Sequence, residues 1–210
     1  SVYLALVIIL LWPYGSSNAQ QLGTKNPGVH TDIPGGPVSG TWRMAGSPYR
    51  VNGEITVPND STLTIEPGVE VVFLGHHKFN VQGRLLAIGT QKDSIRFVAA
   101  DTQSGWHGIR FHGTANTNDT SKFLYCVLRN GKANTGSGSD RRGGAMLISQ
   151  FDKVLVSNCL FESNMQSGSQ DLTFPQAGPA IFIFRASPTI SRSTFSHNTG
   201  SLGSAICCLG

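Results

Sequence analysis

From Tyr49 onward the chain is written almost entirely in short runs in which apolar and polar residues alternate, each bounded by Gly, Pro, Asn or Asp. Period-two runs predict half-buried strands. No stretch carries a helical period, so the body is expected to be all-β. The stretch "STLTIEPGVEVVFLG" (61–75) decides how the strands connect, because its two alternating runs meet at Glu66, Pro67 and Gly68. A two-residue hairpin needs positive φ at its first central residue, which proline cannot supply. Pro followed by Gly fits the centre of a type II turn, which splays the flanking strands. The turn is therefore expected to be a corner, and each strand must find its partner elsewhere in the chain.

The partners are indicated by internal repetition. "FLYCVLRN" (123–130), "VSNCLFESN" (156–164) and "ISRSTFSHN" (190–198) align in four columns: Phe123/Val156/Ile190, Tyr125/Asn158/Arg192, Cys126/Cys159/Ser193 and Leu128/Phe161/Phe195. The offsets are 33 and 34 residues, and related glycine-led segments start at Gly143, Gly178 and Gly203. Earlier in the chain, Ile55/Val57 recurs at Phe79/Val81 after 24 residues, Leu63/Ile65 at Leu86/Ile88 after 23, and Val71/Phe73 at Ile95/Phe97 after 24. Phe79/Val81 recurs at Ile109/Phe111 after 30, with "DTQSGWH" as an added loop. Three strand-like pairs per unit predict a three-sided coil. Successive coils would stack in parallel at about 4.8 Å, and each repeated column would become a ladder of like side chains. Cys126 and Cys159 are expected in one inward ladder as buried thiols. Asn130, Asn164 and Asn198 would satisfy turn backbone groups at the end of each unit.

On "VSNCLFESN", "ISRSTFSHN" and the glycine-led starts, the chain resembles right-handed parallel β-helix repeat proteins of the pectate-lyase-like superfamily. The block from "GEITVPNDSTLTIEPGVEVVF" to "GWHGIRF" is similar to the opening coils of large secreted bacterial β-helix proteins. The resemblance implies a right-handed solenoid with three short strands per coil. It also implies export and a place at the cell surface. It says little about activity, since this fold carries lyases, hydrolases, adhesins and tail spikes alike.

The start of the chain agrees with export. "SVYLALVIILLWPYGSSNAQQ" has an apolar stretch followed by small polar residues and Ser17-Asn18-Ala19, which suits a signal-peptidase site before Gln20. It is short for a membrane span. The expected organisation is a signal peptide at 1–19, an irregular Gly- and Pro-rich leader or N-terminal cap at 20–48, and a β-helix at 49–210 that continues past Gly210. The mature chain would have no membrane span.

Composition changes this picture little. Of 210 residues 39% are hydrophobic and 13% charged, which argues against disorder. The net charge of +4 is spread along the chain apart from Arg141-Arg142, so no nucleic-acid partner is expected.

Chemistry is sought on outward columns. Thr56, Asn80 and Arg110 fall in one column of the first face, flanked by Glu54 and Lys78 on one side and by Gln82 and His112 on the other. Lys78, Asn80, Gln82, Arg110 and His112 then make a basic, amide-rich patch suited to polysaccharide or host-surface glycans. The bland alternative is a solvated sheet face. Glycoside hydrolysis needs two carboxylates across the scissile bond, but among the twelve Asp and Glu residues the register clusters only Glu70 near Asp93. "GHH" at 75–77 is not a pectin-hydrolase motif, and adjacent His76 and His77 would point to opposite faces. Trp106 and His107, in the loop before a strand, are expected to cover a corner, with a small aromatic sugar platform as the alternative. No catalytic residues, cofactor or metal are assigned. The function expected is an exported scaffold or adhesin-like module that contacts glycans. The alternative is a lyase or hydrolase of acidic polysaccharide, with its site in further coils or in the inserts at 134–142 and 165–177, where Arg141 or Arg142 would neutralise a uronate.

Overall fold

The computed structural model describes residues 28–136, 138–166, 178–200 and 205–210. The expected signal peptide and most of the 165–177 insert lie outside these residues.

The described chain forms three parallel sheets. Tyr49–Val51 enters the first sheet, Ile55–Val57 the second and Thr62–Ile65 the third. Glu70–Phe73 then returns to the first sheet beside Tyr49–Val51, and the cycle repeats through Ile206–Leu209. This is a parallel β-helix. Pro67-Gly68 is a corner between the third and first sheets, with Gly68 at φ 78°, the value that the second central position of a type II turn requires.

Ladders expected from the repeats form in register. Phe123 pairs with Val156 and Val156 with Ile190. Leu128 pairs with Phe161, and Phe161 with Phe195, whose rings stack at 5.0 Å. Each buried Phe of such a column is worth about 2–3 kcal/mol of removed apolar surface. Two of the three asparagines form an amide ladder: Asn164 accepts from the Gly131 N–H at 2.9 Å and donates to the Leu128 carbonyl at 3.0 Å, and Asn198 donates to the Phe161 carbonyl at 2.9 Å, whereas Asn130 falls one position out of register and turns the chain at φ 58°. Cys126 and Cys159 are free and buried, with thiols directed at the carbonyls of Ala87 and Phe123, both at 3.3 Å.

Three expectations are corrected. Within the segment expected to be an irregular leader or N-terminal cap, the described residues carry strands of a coil: Thr31–Ile33, Gly36–Pro37 and Gly40–Trp42 each pair with the next coil. Its Gly and Pro residues hide the period-two signal. Trp42 nevertheless stacks on Tyr49 at 4.6 Å and closes the core.

In the third sheet, Leu63 and Ile65 pair with Leu85 and Ala87, not with Leu86 and Ile88. Gly83 fits so closely over the Pro58 and Ser61 carbonyls that a Cβ would lie 2.1 and 2.4 Å from them, and the strand starts immediately after it. A one-residue slip exchanges the faces, which leaves Ile88 37% exposed.

In the first sheet, Val71 and Phe73 pair with Phe97 and Ala99, a shift of two that keeps the inward face. Glu70 consequently pairs with Arg96 at 3.4 Å, while Asp93 stays at the adjoining corner, its carbonyl accepting from the Gly68 N–H at 3.0 Å.

Candidate functional site

The outward face of the second sheet carries the residues picked out by the sequence. Thr56 pairs with Asn80 and Asn80 with Arg110, the expected column. The side chains do not share one exposed surface. Gln82 and His112 are exposed, while Arg110 is only 1% exposed. Asn80 donates to the Glu54 carboxylate at 2.8 Å, so Glu54 turns to this amide and Lys78 turns elsewhere.

Lys78 reaches Asp140 of the 134–142 insert at 2.9 Å, and the insert lies over the inner part of the column. Arg110 is held beneath it by the carbonyls of Arg142 at 2.6 Å, Gly143 at 2.8 Å and His107. Its Nε is buried with no partner among the described residues. Burial lowers the Arg110 guanidinium to about 9, opposed by the nearby Asp140 carboxylate, so the group stays charged at neutral pH.

His107 is buried beside it. Nε2 of His107 lies 3.0 Å from the Asp140 carbonyl, and Nδ1 lies 3.1 Å from the Thr135 hydroxyl. Burial first, and the Arg110 charge second, lower its pKa to about 3, so the ring is neutral at ordinary pH. His76 packs edge-on against His107 at 4.9 Å, bonds the Lys132 carbonyl just before the insert at 2.6 Å and lies 3.5 Å through Nδ1 from the Thr135 hydroxyl, so it ties the start of the insert to this corner. Trp106 is fully buried, stacks on Phe73 at 4.2 Å and donates to the Arg129 carbonyl at 2.8 Å. Together these residues convert most of a basic patch into the underside of a latched loop. What faces solvent on this sheet is an amide and histidine strip.

A second feature lies at the corner between the third and first sheets. Tyr125, Asn158 and Arg192 each turn the chain there as a single residue in the left-handed region, with φ of 50°, 53° and 47°. One coil earlier the same corner takes six residues, 89–94, closed by the Thr90 N–H to the Asp93 carbonyl at 3.1 Å and by the Asp93 N–H to the Thr90 hydroxyl at 2.9 Å. The step from a six-residue overhang to one-residue corners leaves a groove of about 630 Å³. Gln91 and Ser94 form its wall. Val127 and Leu160, paired in register, form an apolar strip beside Tyr125 and Asn158.

The sequence contained the column Tyr125/Asn158/Arg192, but nothing in it marked that column as one side of a recess. The available signal was the contrast in spacer length between "GTQKDS" and the single residues that replace it in later repeats.

Compared with family models, curated proteins and solved structures, the chain matches none of them. Geometry and residue chemistry alone therefore carry the functional reading. Among the described residues no group of three or more His, Cys, Asp and Glu is placed to hold a metal ion, and no helix is long and apolar enough to cross a membrane.

Proposed function

We propose that this chain is part of an exported surface scaffold, an adhesin-like right-handed β-helix of the pectate-lyase-like kind, which meets glycans through outward rows of side chains. The observation that carries this reading is the unbroken parallel register of all three sheets through the described coils. That register spaces outward side chains at about 4.8 Å along one axis, a rigid ruler for a repeating ligand. Export rests on the apolar N-terminal segment and its small-residue boundary. Expression in a secreting host is expected to yield a mature chain that begins at Gln20 by mass spectrometry; a retained residue 1–19 segment counts against export. On a glycan array the full chain should bind, and loss of all signal from wild type would leave a scaffold without a glycan ligand.

A second reading has one observation in its favour. Under the insert, beside Lys78, the neutral His107 ring and the Arg110 guanidinium both have lowered pKa values, a property that gathers at catalytic sites. An acidic-polysaccharide lyase or hydrolase would use it once the insert moved. Unsaturated-uronate absorbance and reducing-sugar release across acidic polysaccharides decide between the two: the scaffold reading expects neither, and turnover of any of them would establish the enzyme.

A further inference from the structure

The groove at the corner of the third and first sheets is built from four successive coils: Gln91 and Ser94 in one, then Tyr125, Asn158 and Arg192 in the next three. Three coil steps give it a length of about 14 Å, room for roughly three pyranose rings. Its contents are those of a sugar site. Tyr125 offers a ring for stacking on the apolar face of a pyranose, continued by Val127 and Leu160. Gln91, Ser94, Asn158 and Thr194 supply neutral donors and acceptors for hydroxyls. Asn158 donates to the neighbouring Ser157 hydroxyl at 3.1 Å, which directs its carbonyl oxygen away from that contact.

Charge selects the class of sugar. Of the ten residues that line the groove only Arg192 is charged. A chain of three uronates would bring three carboxylates to one cation and leave two of them without an ionic partner in the lining, an electrostatic penalty. A neutral chain meets no such penalty, and the guanidinium then serves as a fork of donors for adjacent hydroxyls. From this lining we infer that the corner groove is a binding site for a neutral oligosaccharide of about three hexose units lying along the coil axis. The inference rests on the glycan-binding reading above and moves it from the second sheet to this corner.

The test uses the full chain, isotopically labelled, with cellotriose, mannotriose, maltotriose and trigalacturonate as probes in NMR titrations. At least one neutral triose is expected to shift the backbone signals of Gln91, Val127, Leu160 and Thr194. Tyr125→Ala should weaken that triose at least tenfold and Asn158→Ala about fivefold, the range of a lost stacking face and a lost neutral hydrogen bond. Affinity should be the same at low and high salt, because a neutral ligand has no charge to screen. Unchanged melting temperatures confirm that each variant folds, and Arg192→Gln, on an exposed side chain, provides a further variant with little structural risk.

The groove assignment is overturned if none of the neutral trioses shifts these signals, if trigalacturonate binds more tightly than all of them, or if Tyr125→Ala binds as wild type does. A glycan lost on Gln82→Ala or His112→Ala but retained by Tyr125→Ala overturns the groove while the wider glycan reading stands. Tight binding of poly-glutamate at the same signals overturns it in favour of an acidic peptide.

Discussion

The second sheet and the corner groove are built from the same repeat, yet they treat their outward side chains in opposite ways. On the second sheet, Lys78, His107 and Arg110 are covered by an insert, and Asp140 and nearby main-chain carbonyls meet their polar atoms apart from the Arg110 Nε. At the corner, Tyr125 and Arg192 line an open recess, Tyr125 half-buried and Arg192 exposed, with no insert folded over them among the described residues. The difference follows from spacer length. A long spacer between the first and second sheets can fold back and saturate a face, whereas a one-residue corner cannot. In a solenoid, outward direction alone does not make a residue available; the loops of neighbouring coils decide that.

The largest way to probe this contrast is Arg110→Ala. It leaves the carbonyls of Arg142, Gly143 and His107 without this donor and opens a void beneath the insert, and the expected loss is about 3 kcal/mol in urea unfolding. Arg192→Ala, the matching change at the open corner, should stay within about 0.5 kcal/mol. Equal losses at the two sites would erase the distinction between a latched face and a free one.

Next in size is the acid response of the latched face. The folded-state pKa of His107 lies below its ordinary value, so the unfolded chain binds a proton that the folded chain refuses. The stability from this group is present above pH 6.5 and is lost progressively as pH falls from about 6.5 towards about 3. His107→Gln should flatten stability against pH across that window, while Tyr125→Ala should leave the slope as in wild type. A slope that survives His107→Gln would assign the acid sensitivity to other groups.

Smaller again is Asp140→Asn, which removes the carboxylate partner of Lys78. Both partners are part-exposed, so about 1 kcal/mol or less is expected, seen most directly as faster proteolysis within the 134–142 insert. If cleavage there is unchanged, the ion pair does not hold the insert down.

Much of the architecture was legible because a stacked coil repeats its pattern. The ladder Leu128/Phe161/Phe195 and the pair Asn164/Asn198 were legible in the repeats, and the Pro67-Gly68 corner followed from the φ that proline permits, whereas Asn130 matched its neighbours in type and not in register. Register was less legible where a spacer changed length. Leu85 and Leu86 are equally apolar, and only the close fit of Gly83 over the preceding corner decided which of them points inward. The first coil escaped notice because glycines and prolines can form strand edges without an alternating pattern to announce them.

The candidate site shows the same division. Local rules in the sequence determined that Asn80 and Arg110 share a column and that Tyr125, Asn158 and Arg192 share another, since parallel strands in register carry like positions into line. Only the tertiary structure decided which column is covered. Burial of Arg110 depends on where residues 32 or more positions later come to rest, and the groove depends on a six-residue turn standing one coil away from one-residue turns. Alternation along a strand encodes direction. Accessibility is set by neighbours that are distant in sequence and a few ångströms away in space.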